Sequence, residues 1–149
     1  MIIIAPHPDD ELIGCSKLLN TGQISKVIYL DNLNEGRKCE AVQLCEYFDI
    51  DSKFLSFKKI LEFVTKNPSE TFLVPSIQDH HPEHRMISTL PIKNKGIYSI
   101  DMNTEFISVL TTEEIHNKTK LLNYYYSSQK ELWEKNDMYL IFEGTMLII

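Results

Sequence analysis

Short apolar runs alternate with amphipathic segments along the first half of the chain, a pattern typical of strands followed by helices. Residues 1–5 are apolar and predict a buried strand, which Pro6 and Pro8 end because proline cannot continue a central β-ladder. Acidic residues follow at once, as suits the first turn of a helix. Further strands are predicted over 26–31, 53–57 and 71–75, and helices over 11–20, from Gly36 as far as Phe48, and around 60–64.

The second half predicts short strands near 97–100 and 106–110, followed by one long helix over 113–135. The tail, 138–149, predicts a strand, a turn at Gly144-Thr145 and a second strand. Alternation of strands and helices indicates βαβ units, and therefore an α/β fold with a mainly parallel sheet. No linker or repeat interrupts the pattern, so residues 1–149 are expected to form a single domain.

Composition excludes several classes of function. The 149 residues carry 15 Lys and Arg against 21 Asp and Glu, a net charge of −6, which disfavours binding to nucleic acid or anionic membrane. No apolar stretch is long enough for a membrane span, and the apolar start is too short for a signal peptide, so a cytoplasmic protein is expected. Cys15, Cys39 and Cys45 lack CxxC spacing, which argues against a disulfide framework and against a thiolate zinc site.

Two polar motifs follow predicted strands and carry the chemistry. Residues 7–11 read His-Pro-Asp-Asp-Glu, and residues 79–84 read Asp-His-His-Pro-Glu-His. Carboxyl ends of parallel strands meet at one edge of a sheet, so the two motifs are expected to converge. A catalytic zinc site needs three nitrogen or oxygen ligands and one open position. Two ligands from the first motif and one histidine from the second would meet that need.

These paired motifs resemble those of the LmbE-like or PIG-L deacetylases. Residues 34–40 are similar to that family's Glu-Gly loop and Arg-x-x-Glu segment, and residues 120–129 are similar to its later helix. The resemblance implies a Rossmann-like three-layer α/β sandwich. It also implies zinc-dependent removal of the N-acetyl group from an N-acetylglucosamine-type sugar or glycoconjugate, which leaves acetate and a free amine.

The resemblance, carried over residue by residue, implies a set of metal ligands. His7 and Asp10 match two zinc ligands of the family, and His84 matches the third. Glu11 matches a structural position of the first motif. The expected cofactor is Zn²⁺, and Fe²⁺ or another divalent metal is the alternative, because a His/Asp/His set discriminates poorly between them.

The same resemblance implies the catalytic groups. Asp9 matches the general base, and adjacent side chains in a turn point apart, so Asp9 is not expected to share the metal with Asp10. His81 matches the group that donates a proton to the leaving amine, with Asp79 orienting it. Arg37 matches a contact to a substrate hydroxyl, although an ion pair with the nearby Glu40 is an equal alternative.

Two departures from the family pattern bear on the substrate. Glu83 stands where the family usually has aspartate, and the loop before Arg37 is compressed in a chain shorter than typical members. The shortening puts substrate identity in doubt more than metal binding. Hydrolysis of a non-sugar amide or a phosphoester, and a zinc-stabilised binding module without turnover, are the competing functions. Self-association into a homo-oligomer is also expected, with no number implied.

Overall fold

A computed structural model describes residues 1–101 and 106–147, which contain seven strands and seven α-helices. The strands are β1 (Ile2–Ala5), β2 (Lys26–Leu30), β3 (Asp51–Leu55), β4 (Thr71–Pro75), β5 (Asn94–Ser99), β6 (Ile107–Val109) and β7 (Phe142–Leu147). The helices are α1 (Asp10–Asn20), α2 (Glu35–Tyr47), α3 (Phe57–Lys66), α4 (Pro82–Ser88), α5 (Thr112–Tyr125), α6 (Lys130–Lys135) and α7 (Met138–Ile141).

All seven strands belong to one mixed sheet with the order β3-β2-β1-β4-β5-β7-β6. The five strands from β3 to β5 pair in parallel, whereas β7 runs antiparallel to both β5 and β6. In the central strand β1, Ile2 lies opposite Lys26 of β2 on one side and Phe72 of β4 on the other. The predicted α/β fold with a mainly parallel sheet is therefore confirmed.

The apolar runs are buried on both sides because alternate side chains of a strand point to opposite faces. Ile3, like Val27 and Leu73, packs against apolar residues of α1, α2 and α5. Ile2 and Ile4 pack on the other face, against residues of α3 and α4. Helices thus cover both faces of the sheet, which explains why the central strands read as continuous apolar segments.

The prediction of one helix over 113–135 is wrong, because α5 ends at Tyr125 and the backbone of Tyr126 is not helical. The Tyr126 side chain is fully buried, and its hydroxyl donates to Glu11. Two residues on, the backbone N–H of Ser128 donates to Glu40 at 3.0 Å instead of continuing the helix. A 3₁₀ turn, Ser127–Gln129, separates α5 from α6.

The predicted strand–turn–strand tail is also wrong. Its first residues form the short helix α7, and Gly144 and Thr145 lie inside β7 rather than in a turn. Gly144 pairs with Ser99 of β5 on one side and with Ile107 of β6 on the other. Pairing on both sides holds this glycine in extended backbone. Residues 148–149 of the predicted tail lie outside the described residues.

Helix α1 is kinked at Cys15, where φ is −135° and ψ is 25°. The kink changes the partners of two carbonyl groups. Ile13 O accepts from Lys118 Nζ at 2.6 Å, and Gly14 O accepts from the Thr145 hydroxyl at 2.6 Å. Burial lowers the pKa of Lys118 to about 8. Helix α5 and strand β7 therefore anchor the helix whose first turn carries the first motif.

Cys15, Cys39 and Cys45 are free thiols, and only Cys39 among them is exposed. In the part of the chain that the structure describes, no helix combines the length and the apolar character needed to cross a membrane.

Candidate metal centre

The two sequence motifs meet at the edge where β1 and β4 end. His7 lies in the loop after β1, and Asp10 is the first residue of α1. Asp79 lies in the loop after β4, and His84 follows in the first turn of α4. Pro82 opens that short helix at a position where its missing N–H costs no hydrogen bond.

Three potential ligand atoms form a small, nearly equilateral triangle. His7 Nδ1 lies 3.4 Å from Asp10 Oδ2, His84 Nε2 lies 3.2 Å from the same oxygen, and the two ring nitrogens are 3.4 Å apart. Ligands bonded at 2.0–2.1 Å to a tetrahedral ion are about 3.3–3.4 Å from one another. Asp10 and His84 are buried. The three residues matched to zinc ligands therefore lie at separations that one small divalent ion requires.

His81 offers a second set of ligands. Ring nitrogens of His7, His81 and His84 all lie within 4.8 Å of one another, so these three histidines could hold a metal ion. The His81 side chain is 51% exposed, and its ring centroid lies 4.4 Å from that of His7. The triangle through Asp10 is the more compact and more buried of the two sets.

A carboxylate fixes each of the two triangle histidines from behind. His7 Nε2 donates to Glu83 Oε2 at 2.7 Å, which turns Nδ1 towards Asp10. His84 Nδ1 donates to Asp79 Oδ2 at 3.0 Å, which turns Nε2 towards the same point. Metal-binding histidines are commonly oriented in this way.

The structure corrects the partner of Asp79 and adds a residue. Asp79 was expected to orient His81, but its carboxylate contacts His84 instead. His81 Nδ1 lies 3.3 Å from Glu83 Oε2, so one glutamate contacts both His7 and His81. Glu83 was predicted only as a tolerated departure from the family pattern. The His-Pro-Glu-His spacing, with Glu83 next to a proline at the start of a helix, was the available signal.

Asp79 is itself firmly held. Its Oδ1 accepts from the Ser99 hydroxyl at 2.6 Å and from the backbone N–H of Asp101 at 3.4 Å. Its Oδ2 accepts from the backbone N–H of Ile100 at 3.2 Å as well as from His84. The carboxylate is therefore aligned by residues at the end of β5, a strand that supplies no predicted ligand.

The charges of the triangle favour a cation. Burial acts to lower the pKa of His84, but Asp10 and Asp79 outweigh it and raise that pKa to about 10. Burial acts to raise the pKa of Asp10, and His84 and His7 outweigh it and hold that pKa well below its usual range. A pocket that stabilises a protonated imidazole between two carboxylates also favours a metal cation in the same place.

Asp9 lies beside the triangle in an unusual backbone conformation. Its φ is 104° and its ψ is −32°, and the residue is buried. Its N–H donates to Glu11 Oε2 at 3.2 Å, as fits the structural position predicted for Glu11. Burial, followed by the negative charge of Asp10, raises the pKa of Asp9 well above its usual value. Strained backbone of this kind is concentrated at functional sites.

Arg37 reaches the site from the first turn of α2. Its Nη2 donates to Pro8 O at 2.8 Å and lies 3.7 Å from Asp9 Oδ1. Its Nε is buried and has no hydrogen-bond partner among the described residues. Glu40, the alternative partner considered for Arg37, binds Ser128. Arg37 therefore has donor capacity beside Asp9 that the protein itself does not use.

A cleft of about 290 Å³ opens in front of these side chains. Residues from the second half of the chain complete its walls: Ile100, Asp101, Gln129, Leu132 and Tyr139. Gln129 belongs to the segment 120–129 that the resemblance singled out, and the sequence offered no signal for the other four. A larger groove of about 610 Å³ lies between α1 and α5 and is lined by none of the candidate site residues.

Comparison with known proteins leaves the family unidentified: no family model, no curated protein and no solved structure matches this chain.

Proposed function

We propose that this protein is a zinc-dependent amide hydrolase that removes the N-acetyl group from an N-acetylglucosamine-type sugar or glycoconjugate. The observation that supports it most is the triangle of His7 Nδ1, Asp10 Oδ2 and His84 Nε2, with sides of 3.2–3.4 Å. The cleft gives this triangle an accessible side, as a catalytic rather than a structural zinc site requires.

The strand order supports a Rossmann-like fold. The parallel strands follow the order β3-β2-β1-β4-β5, in which β1 and β4 are neighbours at the point where the chain direction reverses across the sheet. Ligand sites of such sheets form beyond the carboxyl ends of those two strands. His7 and Asp79 follow β1 and β4 directly.

In this proposal His7, Asp10 and His84 hold the metal, and Fe²⁺ stays the alternative to Zn²⁺. A divalent metal bound there supplies a Lewis acid that polarises the amide carbonyl and lowers the pKa of water. The absence of thiolates and the two orienting carboxylates, Asp79 and Glu83, fit such an ion.

The protein's own groups then move the protons. Asp9, which is not part of the triangle but lines the same cleft, takes a proton from the water that adds to the acetamide carbon. His81, whose Nδ1 faces Glu83, acts as the imidazolium and donates its Nε2 proton to the nitrogen as the C–N bond breaks. Acetate and a primary amine leave. Arg37, which lines the cleft, binds a sugar hydroxyl.

The acetylated sugar, the cytoplasmic location and self-association are predictions of the same proposal. Measuring acetate release tests the proposed deacetylase activity. The metal-free protein, reloaded with Zn²⁺, should release acetate from N-acetylglucosamine glycosides and should lose this activity when a chelator is added. Wild-type protein that binds zinc at the triangle but releases no acetate from sugar or non-sugar acetamides would replace the hydrolase by a binding module.

Asp9→Asn provides the sharper test, because asparagine tolerates positive φ and the variant should fold. Loss of the base should lower kcat by about 10²–10⁴-fold, while zinc affinity stays within about twofold of wild type. Asp49→Asn is the matched control, since Asp49 also has positive φ, 54°, but is exposed and remote from the cleft. Full activity in Asp9→Asn would remove Asp9 from the mechanism.

A further inference from the structure

The cleft is lined by two chemically different groups of side chains. Charged and polar side chains of the two motifs, Arg37, Asp101 and Gln129 form one group. Ile13, Ile100, Leu132 and Tyr139 form the other, and they come from four separate elements or loops. Ile13 and Ile100 are almost completely buried, so they form a floor. Leu132 is 46% exposed and forms the outer rim.

Helix α6 holds Leu132 at this rim. The adjacent Trp133 is buried, and its Nε1 donates to Asn123 Oδ1 at 3.1 Å, which anchors α6 against the end of α5. An exposed leucine beside an anchored tryptophan is thus kept in place without being buried itself. Because Leu132 lines the cleft, it offers apolar surface that a bound ligand can cover.

The charged residues of α6 do not line the cleft. Lys130 pairs with Glu134 at 3.0 Å, and Lys135 pairs with Glu131 at 2.8 Å. These four charges satisfy one another along the helix, and none of the four lines the cleft. A polar or anionic substituent at the rim would therefore find no charged partner on α6.

We infer that Leu132 and Tyr139 form an apolar subsite that selects amino-sugar acetamides carrying an apolar aglycone, such as an aryl group, over those with a small or polar one. This inference rests on the proposed deacetylase function. In this arrangement the acetyl methyl packs against the buried Ile13 and Ile100. Leu132, at the outer rim, is left to contact the aglycone. At about 290 Å³ the cleft lies at the small end of ligand sites, which fits one sugar ring and one compact substituent.

The test compares the phenyl and methyl glycosides of N-acetylglucosamine on the zinc-loaded protein. The wild type should favour the phenyl glycoside by about tenfold in kcat/KM, a discrimination typical of a modest apolar contact. Leu132→Asn should reduce this ratio to about one, because the phenyl glycoside loses its apolar contact. Leu132→Met, which keeps an apolar side chain, should retain the preference. Equal ratios in wild type and Leu132→Asn would overturn the inference.

Binding to the metal-free protein separates this inference from the proposed function. Trp133 is the one tryptophan of the chain and lies next to Leu132, so its fluorescence reports on the rim. The phenyl glycoside should change that fluorescence in wild type and Leu132→Met, and about tenfold more weakly in Leu132→Asn. Selective binding of the phenyl glycoside without acetate release would refute the hydrolase proposal and support the apolar subsite. Acetate release with no difference between the two glycosides would support the hydrolase proposal and refute the subsite.

Discussion

Replacing Asp79 by asparagine tests whether the carboxylates behind the histidines contribute to metal affinity. The amide oxygen can still accept from His84 Nδ1, but the charge is lost, and the amide N–H₂ then faces the backbone N–H of Asp101, where Asp79 Oδ1 now accepts at 3.4 Å. Loss of such an orienting partner typically weakens metal binding by about 10–100-fold. We therefore expect Asp79→Asn to raise the Kd for Zn²⁺ about 30-fold, or ~2 kcal/mol.

The assay is competition for Zn²⁺ against a chromophoric chelator, with the folded state checked by circular dichroism. Asp31→Asn is the matched control, because Asp31 lies at the same edge of the sheet but pairs with Lys38 at 2.9 Å, away from the histidines. Its Kd should stay within about twofold of wild type. A folded Asp79→Asn protein that binds Zn²⁺ as tightly as the control would refute the reasoning that orientation of His84 supports the site.

Three further predictions concern specificity and stability. Arg37→Lys keeps a positive charge but loses the planar donor group, so KM should rise about tenfold with zinc affinity unchanged, as steady-state kinetics and metal titration would report. Gly14→Ala should destabilise the fold by ~1–3 kcal/mol in chemical denaturation, although alanine favours helices, because its Cβ would lie 2.5 Å from the Tyr98 ring. A more stable variant would contradict that close contact. Burial lowers the pKa of Lys118 from 10.5 to about 8. Between pH 8 and pH 10.5 the unfolded chain therefore keeps a proton on Lys118 that the folded protein has lost. The free energy of unfolding of wild type, relative to Lys118→Met, should therefore rise by at most ~3 kcal/mol as pH increases from 8 to 10.5, and a flat difference would exclude a neutral Lys118.

The central parallel sheet and the proximity of the two motifs could be predicted from local patterns in the sequence. Residues 1–5 and 71–75 are apolar runs bounded by proline, and the parallel arrangement places whatever follows them at one edge. The pairing of His7 with Asp10 needs only a three-residue separation at the start of α1. Such features depend on few residues and on short-range geometry, so the pattern of the chain specifies them.

The partners of individual side chains and the end of α5 could not be predicted from the local sequence. Which histidine Asp79 contacts depends on rotamers and on donors from Ser99 and Ile100, about 20 residues further along the chain. The end of α5 depends on a buried contact between Tyr126 and Glu11, which are 115 residues apart. Helical periodicity continues through Tyr126, so no local signal competes with the prediction of a longer helix.

The backbone of Asp9 sets the thermal stability of the fold against the role proposed for its carboxylate. A residue with a side chain costs of the order of 1–3 kcal/mol of stability when its backbone is held at φ 104°, and glycine would largely relieve this strain. Asp9→Gly should therefore melt at a higher temperature than the wild type, even as it discards the carboxylate beside the histidines. A screen for thermal resistance alone would enrich such a variant, and an engineer stabilising this protein should hold that residue fixed.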